Sequence, residues 1–217
     1  MTWNSNFAYI VGLITTDGSL SKDGRHINLT SKDLEQLKTF AGILNLDNKI
    51  GTKKSSYAPT KNVFQIQFGN VELYRFLLDI GLTPNKTKTI GSLKIPQKYF
   101  RDFLRGHLDG DGCTYSYWDK RWKSSFMLYL TFMSSSIKHM EWMKTEIKSL
   151  FGIEGKLTKQ KTCYRLRFAK DNSLKLIKIM YYSKNLPYLR RKKFKIDNAL
   201  SIISNHAGVL KSVDRPA

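Results

Sequence analysis

Two aspartates, Asp17 and Asp111, stand 94 residues apart at the ends of matching stretches of chain. Ile10-Val11-Gly12-Leu13-Ile14-Thr15-Thr16-Asp17-Gly18 is echoed by Leu104-Arg105-Gly106-His107-Leu108-Asp109-Gly110-Asp111-Gly112. Each stretch favours helix, carries a small residue at its third and seventh places, and ends in Asp-Gly. Gly12 and Thr16, like Gly106 and Gly110, are four residues apart and share one helix face. Small residues at that spacing let two helix backbones approach closely. Packing the two helices together sets their C-terminal ends, and both carboxylates, side by side. The carboxylates then face the negative ends of two helix dipoles as well as each other. A divalent cation relieves that repulsion, and an all-oxygen donor set suits Mg²⁺. A lone Asp-Gly after a helix is an ordinary turn, so it is the matched pair that points to chemistry. Asp109-Gly110-Asp111-Gly112 is not a calcium loop, because the third acidic position and the closing Glu are missing.

The elements that must position these residues also occur twice. Asn4 or Ser5 caps a first helix through Phe7, Ile10, Val11 and Ile14. An alternating strand follows at residues 26–30, then a helix capped by Ser31 or Asp33 with Leu34, Leu37, Ala41 and Leu44 on one face. Strand segments at 49–57 and 63–68 and a helix stopping at Gly81 complete the first half. The second half repeats the order: a helix at 97–110, a strand at 127–132, a helix ending at Gly152, a strand at 163–168 and a helix at 173–182. A longer first hairpin around residues 115–125 accounts for much of the drift in spacing between the halves. The expected units are 1–94, 95–208 and a loose tail at 209–217.

The 217 residues carry 37 Lys and Arg against 17 Asp and Glu, a net charge of +20. So one-sided a balance calls for a polyanionic partner, nucleic acid before an anionic membrane. Cys113 and Cys163 have no metal-ligand spacing and are expected to be buried free thiols. The four histidines are scattered, against a zinc site. No apolar run reaches the ~20 residues of a membrane span. The apolar N-terminal patch lacks a basic flank and a cleavage site. An intracellular protein with no membrane partner is the expectation.

Residues 12–18 and 106–112, with the order of elements around them, resemble the LAGLIDADG homing endonucleases of the single-chain, two-motif type. The resemblance spans about Phe7 to Asn205. It implies an α+β fold of two pseudo-twofold αββαββα units, with the motif helices at the seam and two antiparallel four-stranded sheets forming a saddle along DNA. It implies Asp17 and Asp111 as metal-binding carboxylates, and the carbonyls of Thr16 and Gly110 as further ligands. It also implies a basic residue beside the site in each half: Lys86 and Lys192 match best, with Lys88 and Lys193 as competitors. The implied reaction is metal-dependent hydrolysis of one phosphodiester per strand of double-stranded DNA at a long asymmetric target. Mg²⁺ is the expected cofactor, with Mn²⁺ or Ca²⁺ taking the same sites, and the chain is expected to act as a monomer. The alternative is an intron maturase, binding intron RNA on the same scaffold. The chain departs from the motif at Thr15, where the family has its first acidic residue. Arg105 and His107 are unusual within the motif. Arg105 is expected to pair with Asp109 on the helix surface, and His107 to be structural.

Strand alternation divides the nucleic-acid face from the core. His26, Asn28, Thr30, Gln65 and Gln67 form the polar side of the first half. Tyr129, Thr131, Arg165 and Arg167 form that of the second. Gln reads adenine and Arg reads guanine through paired hydrogen bonds in the major groove, so unlike halves imply an asymmetric target. Lys53, Lys54, Lys156, Lys159 and Lys161 are expected at phosphates. The 115–123 loop, with Trp118, Lys120, Arg121 and Trp122, is expected to wrap the backbone.

Overall fold

The computed structural model describes residues 1–54, 60, 62–122 and 125–213, the last seven of these as backbone only. The 55–57 end of the expected 49–57 strand, Lys123, and the 214–217 end of the expected tail lie outside the described residues. The first half runs α1 (Ser5–Asp17), β1 (Gly18–Leu20), β2 (His26–Ser31), α2 (Leu34–Leu44), β3 (Gly51–Lys54), β4 (Asn62–Gly69) and α3 (Val71–Asp79). The second runs α4 (Phe100–Gly110), β5 (Cys113–Trp118), β6 (Phe126–Ser134), α5 (Ile137–Phe151), β7 (Lys156–Lys159), β8 (Tyr164–Phe168) and α6 (Lys170–Met180). A further helix, α7 (Arg190–Val213), follows the second unit. This is the α+β duplication of αββαββα units expected from the sequence.

Each unit makes one four-stranded antiparallel sheet, in the orders β1-β2-β4-β3 and β5-β6-β8-β7. Corresponding strands keep the same register: Ser31 lies opposite Phe64, and Ser134 opposite Tyr164. Helices cover one face of each sheet, burying Ile27, Leu29, Ile66 and Phe68 in the first and Leu128, Leu130, Phe132, Leu166 and Phe168 in the second. The other face is left open. Local caps fix the helix starts: Asn4 accepts from the Phe7 amide at 2.8 Å, and Asn70 from the Leu73 amide at 2.8 Å. Gly152 ends α5 in the left-handed region at φ 65°, which favours glycine.

The halves meet where α1 crosses α4. A Cβ on Gly12 would lie 2.4 Å from the Phe103 carbonyl oxygen, and one on Gly106 would lie 2.0 Å from that of Tyr9. A Cβ on Gly110 would strike the Thr16 hydroxyl at 1.9 Å. Backbone thus rests on backbone along the small-residue stripe, and no larger side chain fits there.

Two local expectations are corrected. Arg105 is not a surface partner of Asp109. It is wholly buried and binds Asp102 at 2.8 Å, the Met180 carbonyl at 2.8 Å and the Pro187 carbonyl at 2.9 Å. The α6–α7 connection packs over this side of α4 and removes it from water. Asp109 instead accepts from Tyr9 Oη at 3.0 Å and from the Leu189 amide at 2.8 Å. The cysteines are not buried either: Cys113 is exposed on edge strand β5 and Cys163 is half-buried. His107 is buried, stacked on His139 with ring centroids 5.4 Å apart.

Candidate metal centre and nucleic-acid interface

Asp17 is the last residue of α1, and Asp111 caps the C-terminus of α4. The crossing at Gly12 and Gly106 forces these ends together, so that Asp17 Oδ2 lies 3.2 Å from the Cβ position of Gly110. Both aspartates line one cleft of about 360 Å³, together with Lys86, Ser134, Ser135 and Cys163. Related clefts open on the far side of the seam: one of about 420 Å³ with Asp17, Lys32, Lys53 and Arg191, and one of about 310 Å³ with Asp111, Lys32 and Lys192.

The electrostatics follow from crowding. Withdrawal from water pushes the Asp17 carboxyl up to about 7, with a further push from Asp111, against the opposing pull of Lys192 and Lys86. Asp111 is also raised by loss of solvent, and is the more exposed of the two. Burial lowers Lys86 to about 8 and Lys192 to about 8, while nearby carboxylates resist the shift. Neither ammonium is spent on an aspartate of the site. Lys86 donates to the Gly18 carbonyl, and Lys192 donates to the carbonyls of Leu108, Gly110 and Gly112 at 2.6–2.7 Å. Two adjacent carboxylates at two helix C-termini, with their lysines turned to carbonyls, form an oxygen-rich centre. Such a centre fits a hard divalent cation. Among the described residues no group of three or more His, Cys, Asp or Glu gathers to hold a metal, so this centre offers two carboxylates with backbone oxygens beside them.

The lysine alternatives separate cleanly. Lys88 is exposed away from the clefts, and Lys193 pairs with Asp197 beneath Tyr181. Lys192 lies within the first turn of α7. Its bond to the Gly110 carbonyl also qualifies the expectation for that oxygen, which already holds an ammonium.

Register places the remaining expected residues. His26, Asn28, Thr30, Gln65 and Gln67 share the open face of the first sheet, as do Tyr129, Arg165 and Arg167 in the second. His26 is tied to Asp23 at 2.5 Å, and Thr30 donates to Asn28 at 3.0 Å. The Arg167 guanidinium lies over the Tyr129 ring at 4.9 Å. Thr131 points to the same face but is only 4% exposed, because Cys113 and Arg167 flank it on the neighbouring strands. It is closed to a ligand.

Two of the expected phosphate lysines lie off the open face. Lys54 aligns with the Phe64 side of the strand pair and Lys159 lies opposite Tyr164, so both fall on the helix-covered side, near its edges. Lys53 and Lys156 hold the open face. Arg121 is exposed and leans on Asp119 at 3.4 Å.

Sequence reasoning missed Lys32, at the β2–α2 junction, and the Arg191–Asp33 pair, whose contacts of 2.7–3.0 Å bind α7 to α2 across the halves. Neither lies in a strand alternation or a motif, and only the tertiary crossing brings them to the clefts.

Residues 4–81 match the family model described as a LAGLIDADG-like domain. The chain has the LAGLIDADG fold. Its LAGLIDADG relatives in structure include the homing endonuclease I-WcaI bound to its DNA recognition sequence, at TM-score 0.62, 12% identity and coverage of 89% of this chain and 88% of that one. I-DmoI in complex with DNA and Ca aligns at TM-score 0.58 and 15% identity over 89% of this chain and 97% of that one. Full-length DUF199/WhiA from Thermatoga maritima aligns at TM-score 0.58 and 14% identity over 98% and 68%. Identities this low carry the LAGLIDADG fold and nothing finer. No curated protein matches the sequence.

Proposed function

We propose that this chain is a site-specific double-stranded DNA endonuclease that hydrolyses one phosphodiester in each strand, using divalent metal held at the helix seam. The observation that carries the proposal is the meeting of Asp17 and Asp111 between two open sheet faces in a chain of charge +20. Structural relatives bound to DNA, and to DNA with Ca or Mn, support it. Asp17 and Asp111 would hold the metal, with the Thr16 carbonyl within the same turn. A divalent ion there supplies a nucleophile at neutral pH and offsets charge on the leaving oxygen. The rest is positioning by the chain itself. Lys53, Lys156 and Arg121 hold phosphates, Gln65, Gln67, Arg165 and Arg167 meet base edges, and Lys86 offsets charge beside the reacting phosphate.

The decisive experiment is selection of cleaved sequences from a randomised DNA library, with and without Mg²⁺. Recovery of one long asymmetric site, cut by the wild type but not by Asp17→Asn or Asp111→Asn, is the expected result. Binding of DNA without cleavage is the second reading, and the ammonium of Lys192 on the Gly110 carbonyl favours it. Enrichment of bound but uncut DNA in Mg²⁺ would establish it instead.

A further inference from the structure

The two lysines matched by position do different things. All three Lys192 protons are consumed: Nζ donates to Leu108 O at 2.7 Å, Gly110 O at 2.6 Å and Gly112 O at 2.7 Å. An ammonium has three donors and no more. Leu108 and Gly110 belong to the last turn of α4, whose carbonyls have no partner within the helix. Lys192 therefore caps α4 with a positive charge, the favourable sign at that end, and fixes the turn that carries Asp111. Lys86 gives one bond, to the Gly18 carbonyl at the end of α1, and lines the cleft shared by Asp17 and Asp111. Two of its protons remain for a phosphate.

The cleft on the other side needs a different cation. Arg191 is committed to Asp33 through three contacts of 2.7–3.0 Å. Lys32 is exposed and lines both far-side clefts, one beside Asp17 and one beside Asp111. The sheet register equates Ser31 with Ser134, so the second-half equivalent of Lys32 is Ser135, which lines the Lys86 cleft without charge. The near side thus offers Lys86, and on the far side, where Lys53 and Lys195 each line one cleft, only Lys32 of the three lines both, beside Asp17 and beside Asp111.

We infer that Lys86 serves the phosphate of one DNA strand and Lys32 that of the other, while Lys192 is a positioning residue that braces the α4 C-terminus and Asp111. This rests on the endonuclease function proposed above. The test uses the site recovered by library selection, labelled separately on each strand, with Mg²⁺ and full-length variants, alongside melting temperatures. Lys86→Met and Lys32→Met should each slow a different strand by roughly tenfold or more, the scale of one lost charge-stabilising donor, with melting unchanged for Lys32→Met. Lys192→Met should lower the melting temperature and slow both strands in parallel, and Lys192→Arg should restore both rates together. The inference is overturned if Lys32→Met slows neither strand. It also fails if Lys192→Met melts like the wild type while losing one strand only. If the wild-type chain cuts no sequence, the endonuclease function falls and takes the role of Lys32 with it. The brace at Lys192 is then judged by melting temperature alone.

Discussion

Helix α1 buries an unbroken apolar run from Phe7 to Ile14, whereas α4, in the equivalent place, buries Asp102, Arg105, His107 and Asp109. The open sheet faces differ in the same sense. The first carries Asn28, Thr30, Gln65 and Gln67; the second carries Tyr115, Tyr117, Tyr129, Arg165 and Arg167. Only the seam is held alike, glycine against backbone and carboxylate beside carboxylate. A duplicated scaffold therefore needs equality where its halves touch. Each half solves its own burial and recognition separately. In the second half the extra charges follow from the α6–α7 connection, which covers α4 and gives Arg105 two carbonyl partners.

The largest effect should come from breaking the shared seam. In Gly106→Ala the added methyl would meet the Tyr9 carbonyl oxygen at 2.0 Å, and in Gly12→Ala the Phe103 carbonyl oxygen at 2.4 Å. Neither neighbour can yield, since both are helix backbone. Each variant should lose roughly 4 kcal/mol or more, the range of severe core overpacking and strain. The same change at Gly42 on exposed α2, where the Cβ meets nothing, should be neutral or slightly stabilising. Chemical denaturation of the three variants measures the contrast, and equal losses at Gly42 and Gly106 would remove the seam from the account.

The second effect tests the unequal helices. Arg105→Val strands Asp102 without its buried partner, and breaking a buried pair from one side costs about 3–5 kcal/mol. The equivalent α1 residues are Ala8 and Val11, so the double variant Asp102→Ala/Arg105→Val writes the first-half solution into the second half. It should be more stable than Arg105→Val alone, because no unpaired charge remains. It should stay below the wild type, because the Met180 and Pro187 carbonyls lose their donor. Urea midpoints for the two variants decide this.

How far the sequence foretold this molecule depends on the range of the interaction. Most helix and strand positions were legible because their periods are local, though α7 was not read and carries residues 209–213 of the expected loose tail as helix; the paired Asp-Gly endings were legible because the repeat gave each a second copy. The fate of Arg105 was not: Asp102 and Asp109 lie three and four residues away, and only the distant α6–α7 connection decides between them. Lys53, Lys54, Lys156 and Lys159 stood together as expected phosphate contacts, and the strand register divides them, Lys53 and Lys156 to the open face and Lys54 and Lys159 to the other. Lys32 carried no local signal at all, since the clefts it lines are completed by residues of the other half.

A third test separates the two carboxylates by pH. The Asp17 carboxyl is raised from 3.8 to about 7 in the folded chain, so the folded state holds its proton more tightly than the unfolded state. Its ionisation therefore destabilises the metal-free protein progressively from pH 4 to pH 7 and fully above that. Buried His107 and His139 act oppositely, being shifted down, so the wild-type curve alone mixes both trends. The difference between wild type and Asp17→Asn isolates the carboxyl. Asp17→Asn should melt higher than metal-free wild type at pH 8, with the gap closing towards pH 4. Asp111→Asn should show the same sign with a smaller gap, because Asp111 is more exposed. Millimolar Mg²⁺ should raise the wild type alone.

The smallest effect concerns the unlike open faces. Arg165 projects from β8 with its Nε buried and unpartnered, at a level where the first sheet offers Gln65. A guanidinium fork addresses the two acceptors of guanine, whereas an amide addresses adenine. If the halves read different bases, Arg165→Ala should relax preference at one position of the selected site by about 1–3 kcal/mol, leaving other positions unchanged. Arg165→Gln should shift that position from guanine towards adenine, carrying the chemistry of the first half into the second. Substitution of Lys156 on the same face should instead weaken binding evenly across sequences and flatten its salt dependence, because a phosphate contact carries no base information. Base-resolved selection with each variant measures all three. A uniform loss for Arg165→Ala would assign Arg165 to a phosphate, and the asymmetry of the target would then rest on the aromatic residues of β5 and β6.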